Sequence, residues 1–239
     1  MAMPGPAPRA EFDAFAAGYD GGIGDPLKRL AGKSVDTFFE HKVDWLLRNL
    51  SPTGRLLDFG CGTGIFLRTL RRSGAPLELF GCDISASMVD AARAGWNAGD
   101  LPVLQAVAPG PLPLADAQFD VVTSVCVLHH IEPAARLGTI RELIRVLKPG
   151  GHLVVFEHNP FNPATRWLVA RAPIDANAQL LPAAGCARLL SLSGAEHART
   201  DYVLFFPPRL RRLWSFERFL ARVPLGGQYV VVGRKPQER

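Results

Sequence analysis

The chain has 239 residues, 48% of them hydrophobic, a length that fits one α/β domain or one domain with a lid. Its 27 Lys and Arg exceed its 22 Asp and Glu, but residues 207–239 hold eight basic and two acidic side chains, against nineteen and twenty before them. The balanced body excludes a nucleic-acid footprint spread over one face, and no apolar run reaches the roughly 18 residues of a membrane span.

In chain order, residues 1–11 read as a disordered tail, with Pro and Gly where a signal peptide needs an apolar helix. Phe12, Phe15, Ala16 and Tyr19 recur at helical spacing until Gly21-Gly22 and Gly24-Asp25-Pro26 break it. A helix is predicted from about Ser34 to Leu50 with Val35, Phe38, Phe39, Val43, Leu46 and Leu47 inward, closed by Ser51-Pro52-Thr53-Gly54. Residues 12–50 thus form a helical lid on a domain spanning 51–239.

From Arg55 short β-rich runs alternate with helical segments. Strands are predicted at 55–59, 77–82, 102–106, 119–125, 152–157, 201–206 and 228–233. Helices are predicted at about 64–73, 86–97, 133–147 and 182–193, with a shorter one at 209–221. The alternation implies a Rossmann-like, seven-stranded, mostly parallel sheet with helices on both faces. The last two strands are joined by a compact segment, which allows one of them to run antiparallel. Segments 158–200 and 207–226 are elaborations. Cys61, Cys82, Cys126 and Cys186 form no CxxC pair, so reduced thiols in a cytoplasmic protein are expected.

Ligands of such sheets bind at the carboxyl ends of the strands. There the first strand runs into Asp58-Phe59-Gly60-Cys61-Gly62-Thr63-Gly64. Alternate glycines let a ligand approach the main chain closely. A dinucleotide fingerprint needs its third glycine one residue later, where Ile65 stands, and Asp58 would oppose a pyrophosphate. A cationic ligand suits the carboxylate better. Asp83 ends the second strand 25 residues after Asp58. It is placed to accept both hydroxyls of a ribose, or to cap the helix that follows.

Leu56-Leu57-Asp58-Phe59-Gly60-Cys61-Gly62-Thr63-Gly64 resembles the first motif of class I S-adenosylmethionine-dependent methyltransferases. Gly81-Cys82-Asp83-Ile84-Ser85, followed by Met88-Val89-Asp90-Ala91-Ala92, resembles the second. Leu112-Pro113-Leu114, Phe119-Asp120-Val121-Val122, Leu128-His129-His130-Ile131 and Arg145-Val146-Leu147-Lys148-Pro149-Gly150-Gly151 continue the match. Phe12-x-x-Phe15-x-x-x-Tyr19-Asp20 is similar to the N-terminal segment of the ubiquinone/menaquinone-methyltransferase-like (type 11) group. The resemblance covers roughly residues 12–157. It implies S-adenosylmethionine as cofactor, methyl transfer to a small-molecule acceptor at O, N or C, and no nucleic-acid partner. It also implies that the turn from Asp58 through Gly60, Cys61, Gly62 and Gly64 holds the methionine part, that Asp83 holds the ribose, and that Ile84 and Met88 flank adenine. Val125 and Tyr19 join this cofactor set. Lys42 is a candidate for the cofactor carboxylate, with a solvated helix lysine as the other reading. The acid usual before the Leu-Pro pair is replaced by Ala108.

Methyl transfer needs a base only if the acceptor must lose a proton. The polar candidates at strand tips are His129, His130, Glu157 and His158. One of the paired histidines is expected to pack structurally. Glu157-His158-Asn159-Pro160-Phe161-Asn162-Pro163 is read as a fixed polar loop rather than a helix, offering His158 or Asn159 to the acceptor. Asn-Pro-aromatic strings occur after the fourth strand in DNA amino-methyltransferases; here the string follows the fifth, against that reading. Phe15 and Trp167 are expected in the core. Arg166, Arg171 and Asp175 fall in the long segment after the fifth strand without a role. Chain spacing offers no metal-ligand pair and no G-x-S-x-G elbow.

Two alternatives stand beside methyl transfer. One is attack on the cofactor's aminocarboxypropyl arm, releasing methylthioadenosine. The other is a non-catalytic cofactor-binding or membrane-surface module, with 209–223 as a basic amphipathic helix that lies on lipid or, as favoured here, packs on the sheet.

Overall fold

The computed structural model describes residues 11–16, 36–97 and 100–237. Tyr19, Asp20, the glycine-rich break at 21–26 and the chain tails at 1–10 and 238–239 lie outside the described residues. A 3-10 turn, Glu11–Phe15, precedes helix α1, Asp36–Leu50. Then follow β1 (Gly54–Phe59), α2 (Ile65–Arg72), β2 (Leu77–Asp83), α3 (Ala86–Ala94), β3 (Val103–Ala106) and β4 (Phe119–Val125). The second half holds α4 (Pro133–Val146), β5 (Leu147–His158), α5 (Pro163–Val169), α6 (Ala183–Leu192), β6 (Glu196–Val203), α7 (Glu217–Leu220) and β7 (Gln228–Arg234).

The strands form one sheet in the order β3-β2-β1-β4-β5-β7-β6. β1 to β5 are parallel, and β7 runs antiparallel between β5 and β6. The strand order reverses between β1 and β4, which puts the ligand crevice of such a sheet at their carboxyl ends. Alternation along each strand divides the core. Leu57, Val122, Val155 and Val231 face α4 and α6, where Ile140, Leu143, Cys186 and Leu190 pack. Leu56, Val121, Val154, Val230 and Val232 face α1, α2 and α3, where Leu46, Phe66, Leu70 and Val89 pack. All four cysteines are free thiols. Among the described residues, no helix is long and apolar enough to cross a membrane.

Four expectations need correction. The fifth strand begins at Leu147 rather than 152, because Leu147 pairs with Phe119 ahead of a register shift. The sixth strand is 196–203, not 201–206. It carries polar residues inward, and buried Asp201 accepts from Trp45 Nε1 at 3.0 Å. Beyond Val203 the chain leaves the sheet, because the Glu217 carboxylate accepts the backbone N–H groups of Leu204, Phe205 and Phe206. The polar loop after β5 is short, since Asn162 Oδ1 accepts the Thr165 N–H and starts α5 with Pro163 in its first turn. The segment read as a helix at 209–221 is a 3-10 stretch over Pro208–Phe216, non-helical at Leu210, followed by the single turn α7. Its Trp214 ring packs edge-on against His41 at 4.7 Å, while Leu210, Phe216 and Phe219 stay exposed.

Candidate active site

The carboxyl ends of β1, β2, β4 and β5 open on one cavity of about 710 Å³, bordered on one side by Phe38, Phe39 and Lys42 of α1. At one end lies the glycine loop. Gly60 has φ +73°, and a Cβ there would stand 2.4 Å from Val127 Cγ2. Gly62 has φ +51°, and a Cβ there would meet no atom within 4 Å, so its backbone faces open space. The loop is held by Gly60 N–H and Cys61 N–H donating to Cys82 O, and by Gly62 N–H donating to Asp83 Oδ2 at 2.8 Å. Asp83 Oδ1 accepts from Ser85 N–H, and Ser85 Oγ caps α3 by accepting from Met88 N–H. Asp83 therefore fixes the loop, while Ser85 does the capping. Burial raises the Asp83 pKa above the ordinary carboxylate range, against those hydrogen bonds.

Gly60, Gly62, Asp83, Ile84, Met88 and Val125 all line the cavity, as do Ala108 and Lys42. Lys42 is buried rather than solvated, with its Nζ 4.9 Å from the Phe39 ring centre. Burial lowers its pKa, opposed by the charges of Cys126 and Glu157. Asp58, Cys61 and Gly64 are not on the cavity wall. Asp58 is 1% exposed and accepts from Thr123 Oγ1 at 2.7 Å, and burial pushes its pKa up to about 7. Cys61 belongs to the core beneath the loop.

At the other end, the tips of β4, β5 and β7 bring polar groups together. Glu157 is fully buried and is not on the wall of this cavity. Its Oε1 accepts from Val127 N–H and Leu128 N–H, and its Oε2 lies 2.5 Å from His129 Nδ1. His129 Nε2 and His130 Nε2 each stand 3.4 Å from Asp175 Oδ1. His158 Nδ1 faces the Gln228 amide at 3.3 Å, and that amide reaches Cys126 Sγ. His129, His130, His158, Asp175 and Gln228 line the cavity.

The electrostatics divide the imidazoles. Burial alone would lower the His129 pKa, but Glu157 and Asp175 on either side raise it to about 9. Burial and the neighbouring His129 lower His158 to about 4. Asp175, though buried, is held well below the carboxylate range by its hydrogen bonds to the two histidines.

Both paired histidines reach the cavity, although one was expected to pack away. Asn159 does pack away: its Nδ2 donates to Pro224 O and Gly226 O and its Oδ1 accepts from Phe161 N–H. Trp167 stands at the cavity wall rather than in the core, half exposed and stacked on Arg171. The fold also overturns the spacing argument against metal ligands, since donor atoms of His129, His158 and Asp175 all lie within 4.8 Å of one another. The sequence leaves Asp175 without a role and does not single out Gln228, because long-range folding rather than a local pattern brings them to the site.

A parallel sheet with this strand order, an antiparallel seventh strand and a glycine-loop cavity is the architecture of class I S-adenosylmethionine-dependent methyltransferases. Residues 57–155 match the family model described as a methyltransferase domain. The chain is similar to the demethylmenaquinone methyltransferase of Thermotoga maritima, 32% identical over 63% of this chain and 61% of that protein. It is also similar to the ubiquinone/menaquinone biosynthesis C-methyltransferase of Geotalea daltonii, 32% identical over 61% of this chain and 60% of that protein. It thus spans under two thirds of these relatives' lengths. An S-adenosylmethionine-dependent methyltransferase structure from Thermotoga maritima covers 94% of this chain and 98% of its own at TM-score 0.67 and 21% identity. The structure of the [4+2]-cyclase SpnF covers 83% of this chain and 82% of its own at TM-score 0.62 and 22% identity, a likeness of fold alone.

Proposed function

We propose that the protein transfers a methyl group from S-adenosylmethionine to a small-molecule acceptor. One observation carries the reading: the glycine loop with Asp83 and the histidine-lined polar group are two ends of a single cavity. Asp83 takes the ribose hydroxyls, Gly60 and Gly62 give the methionine part access to the main chain, and Ile84 and Met88 flank adenine beside Ala108. Lys42 meets the cofactor carboxylate, and Val125 completes the cofactor's described surroundings. The acceptor sits toward His130 and His158, with aromatic and aliphatic walls that exclude water. Its nucleophilic atom displaces the sulfonium in line, so the S–CH3 bond breaks as the new bond forms and S-adenosylhomocysteine leaves. His158, unprotonated at neutral pH, offers a lone pair to an acceptor that must lose a proton. Glu157 acts through His129 and is a positioning residue. Helix α1, with Phe38, Phe39 and Lys42 on the cavity, serves as the lid.

Calorimetry with S-adenosylmethionine tests the cofactor assignment. Stoichiometric binding is expected, with loss of binding in Asp83→Ala; a variant that binds like the native chain overturns it. Product mass tests the reaction. The SpnF likeness favours keeping one other chemistry in view, because a fold of this kind also houses a reaction that is not methyl transfer. S-adenosylhomocysteine supports methyl transfer, and methylthioadenosine supports attack on the aminocarboxypropyl arm.

A further inference from the structure

Three side chains with metal-binding chemistry meet at the polar end of the cavity from separate parts of the chain. His129 follows β4, His158 ends β5, and Asp175 lies in the Pro173–Asp175 turn. We propose that His129, His158 and Asp175 hold a divalent first-row transition-metal ion, zinc being the best fit, with an open position toward the acceptor.

The donor set selects the class of ion. Two imidazoles and one carboxylate suit zinc or iron, whereas magnesium and calcium favour oxygen ligands throughout. The geometry is close to what an ion requires. Ligands about 2.0–2.1 Å from a tetrahedral ion stand about 3.3–3.4 Å apart. His129 Nε2 and Asp175 Oδ1 are 3.4 Å apart, and one donor atom from each of the three residues lies within 4.8 Å of the other two. Glu157 supplies the outer carboxylate that metal-bound histidines commonly carry. It engages His129 Nδ1 and is itself pinned by two backbone N–H groups, which directs the Nε2 lone pair at the ion. That Nε2 atom is buried without a well-aligned hydrogen-bond partner. It stands 3.4 Å from the Asp175 carboxylate and beside the His158 ring, the spacing that a shared ion would bridge. The Gln228 amide, which can present either its oxygen or its nitrogen, serves either tautomer of His158. Two acids at this floor, Glu157 and Asp175, also supply the negative charge that a divalent ion offsets.

What the ion does rests on the methyltransferase reading, whereas its binding does not. Its open position takes an acceptor hydroxyl or enol oxygen, lowers the pKa of that group, and holds it behind the sulfonium methyl. With the ion bound, His158 is a ligand rather than a base, and the released proton goes to solvent.

The full chain, stripped by a chelator and kept free of S-adenosylmethionine, is titrated with Zn2+ by calorimetry. One ion per chain is expected, bound at least about tenfold more weakly by Asp175→Asn and by His158→Gln. Cobalt loading of the native chain gives a readout that depends on no variant folding. A visible spectrum of cobalt bound by nitrogen ligands is expected; the spectrum of the hydrated ion overturns the proposal, as does Zn2+ affinity equal in all three proteins. A chain that binds S-adenosylmethionine but no ion sinks this inference alone. One that binds the ion but no cofactor sinks the methyltransferase reading alone.

Discussion

At the scale of single residues, Asp58 has the sharpest consequence. It is buried under the glycine loop with Thr123 as donor, and its folded pKa of about 7 is far above the value of about 4 in an unfolded chain. Between those values the folded protein keeps a proton that the unfolded chain has released. Stability from this group is therefore complete below about pH 4 and lost as pH rises through about 7. Asp58→Asn keeps an oxygen for Thr123 and removes the titration. Its melting temperature should gain on the native chain between about pH 5 and about pH 7.5; a pH-independent difference would show that Asp58 ionises freely. Gly60, Gly62 and Asp83, which sequence reading singled out from contiguous motifs, all line the cavity. Those that the reading misplaced have functions set by distant partners. Glu157 looked like an acceptor-facing acid, yet its carboxylate is spent on Val127, Leu128 and His129. Asn159 looked like a pocket residue, yet it clamps the turn at 224–226.

At the scale of elements, apolar continuity made β1, β4, β5 and β7 legible, since a strand buried on both faces needs little else. β6 was shifted because its inward residues are polar, and the apolar Leu204-Phe205-Phe206 run beyond it looked like the better strand. The decision belongs to Glu217. Its carboxylate accepts three successive backbone N–H groups there and stands 2.8 Å from His41 Nε2 on α1. One side chain thus ties α1, α7 and the cavity wall at Phe205 and Phe206. Glu217→Ala leaves three donors and His41 without their acceptor, and should cost about 3–5 kcal/mol in urea unfolding. Glu217→Gln retains one oxygen acceptor and should lose less. Equal stability of both variants with the native chain would mean that water replaces the carboxylate.

At the scale of the whole molecule, one cavity wall draws on both ends of the described chain, from Phe12 and α1 to Gln228 of β7. A ligand bridging these elements stabilises them together. At about 100 times its dissociation constant, S-adenosylmethionine should add about 2.7 kcal/mol, raising the melting temperature by about 5–10 °C for a chain of this size. Asp83→Ala should show no such rise, and a rise of equal size would place the ligand elsewhere. The position of β7 has a further consequence for biosynthesis. Among the described residues β6 has no hydrogen-bonded neighbour other than β7, and β7 is translated after both strands it joins. Until it emerges, the edge of β5 stands open along Leu153, Val154, Val155 and Phe156, and β6 has nothing to dock on. A nascent chain halted before Gln228 therefore carries an aggregation-prone edge and an unfinished cavity, so the cofactor cannot rescue folding early. Maturation of the site waits on the last strand of the sheet to leave the ribosome.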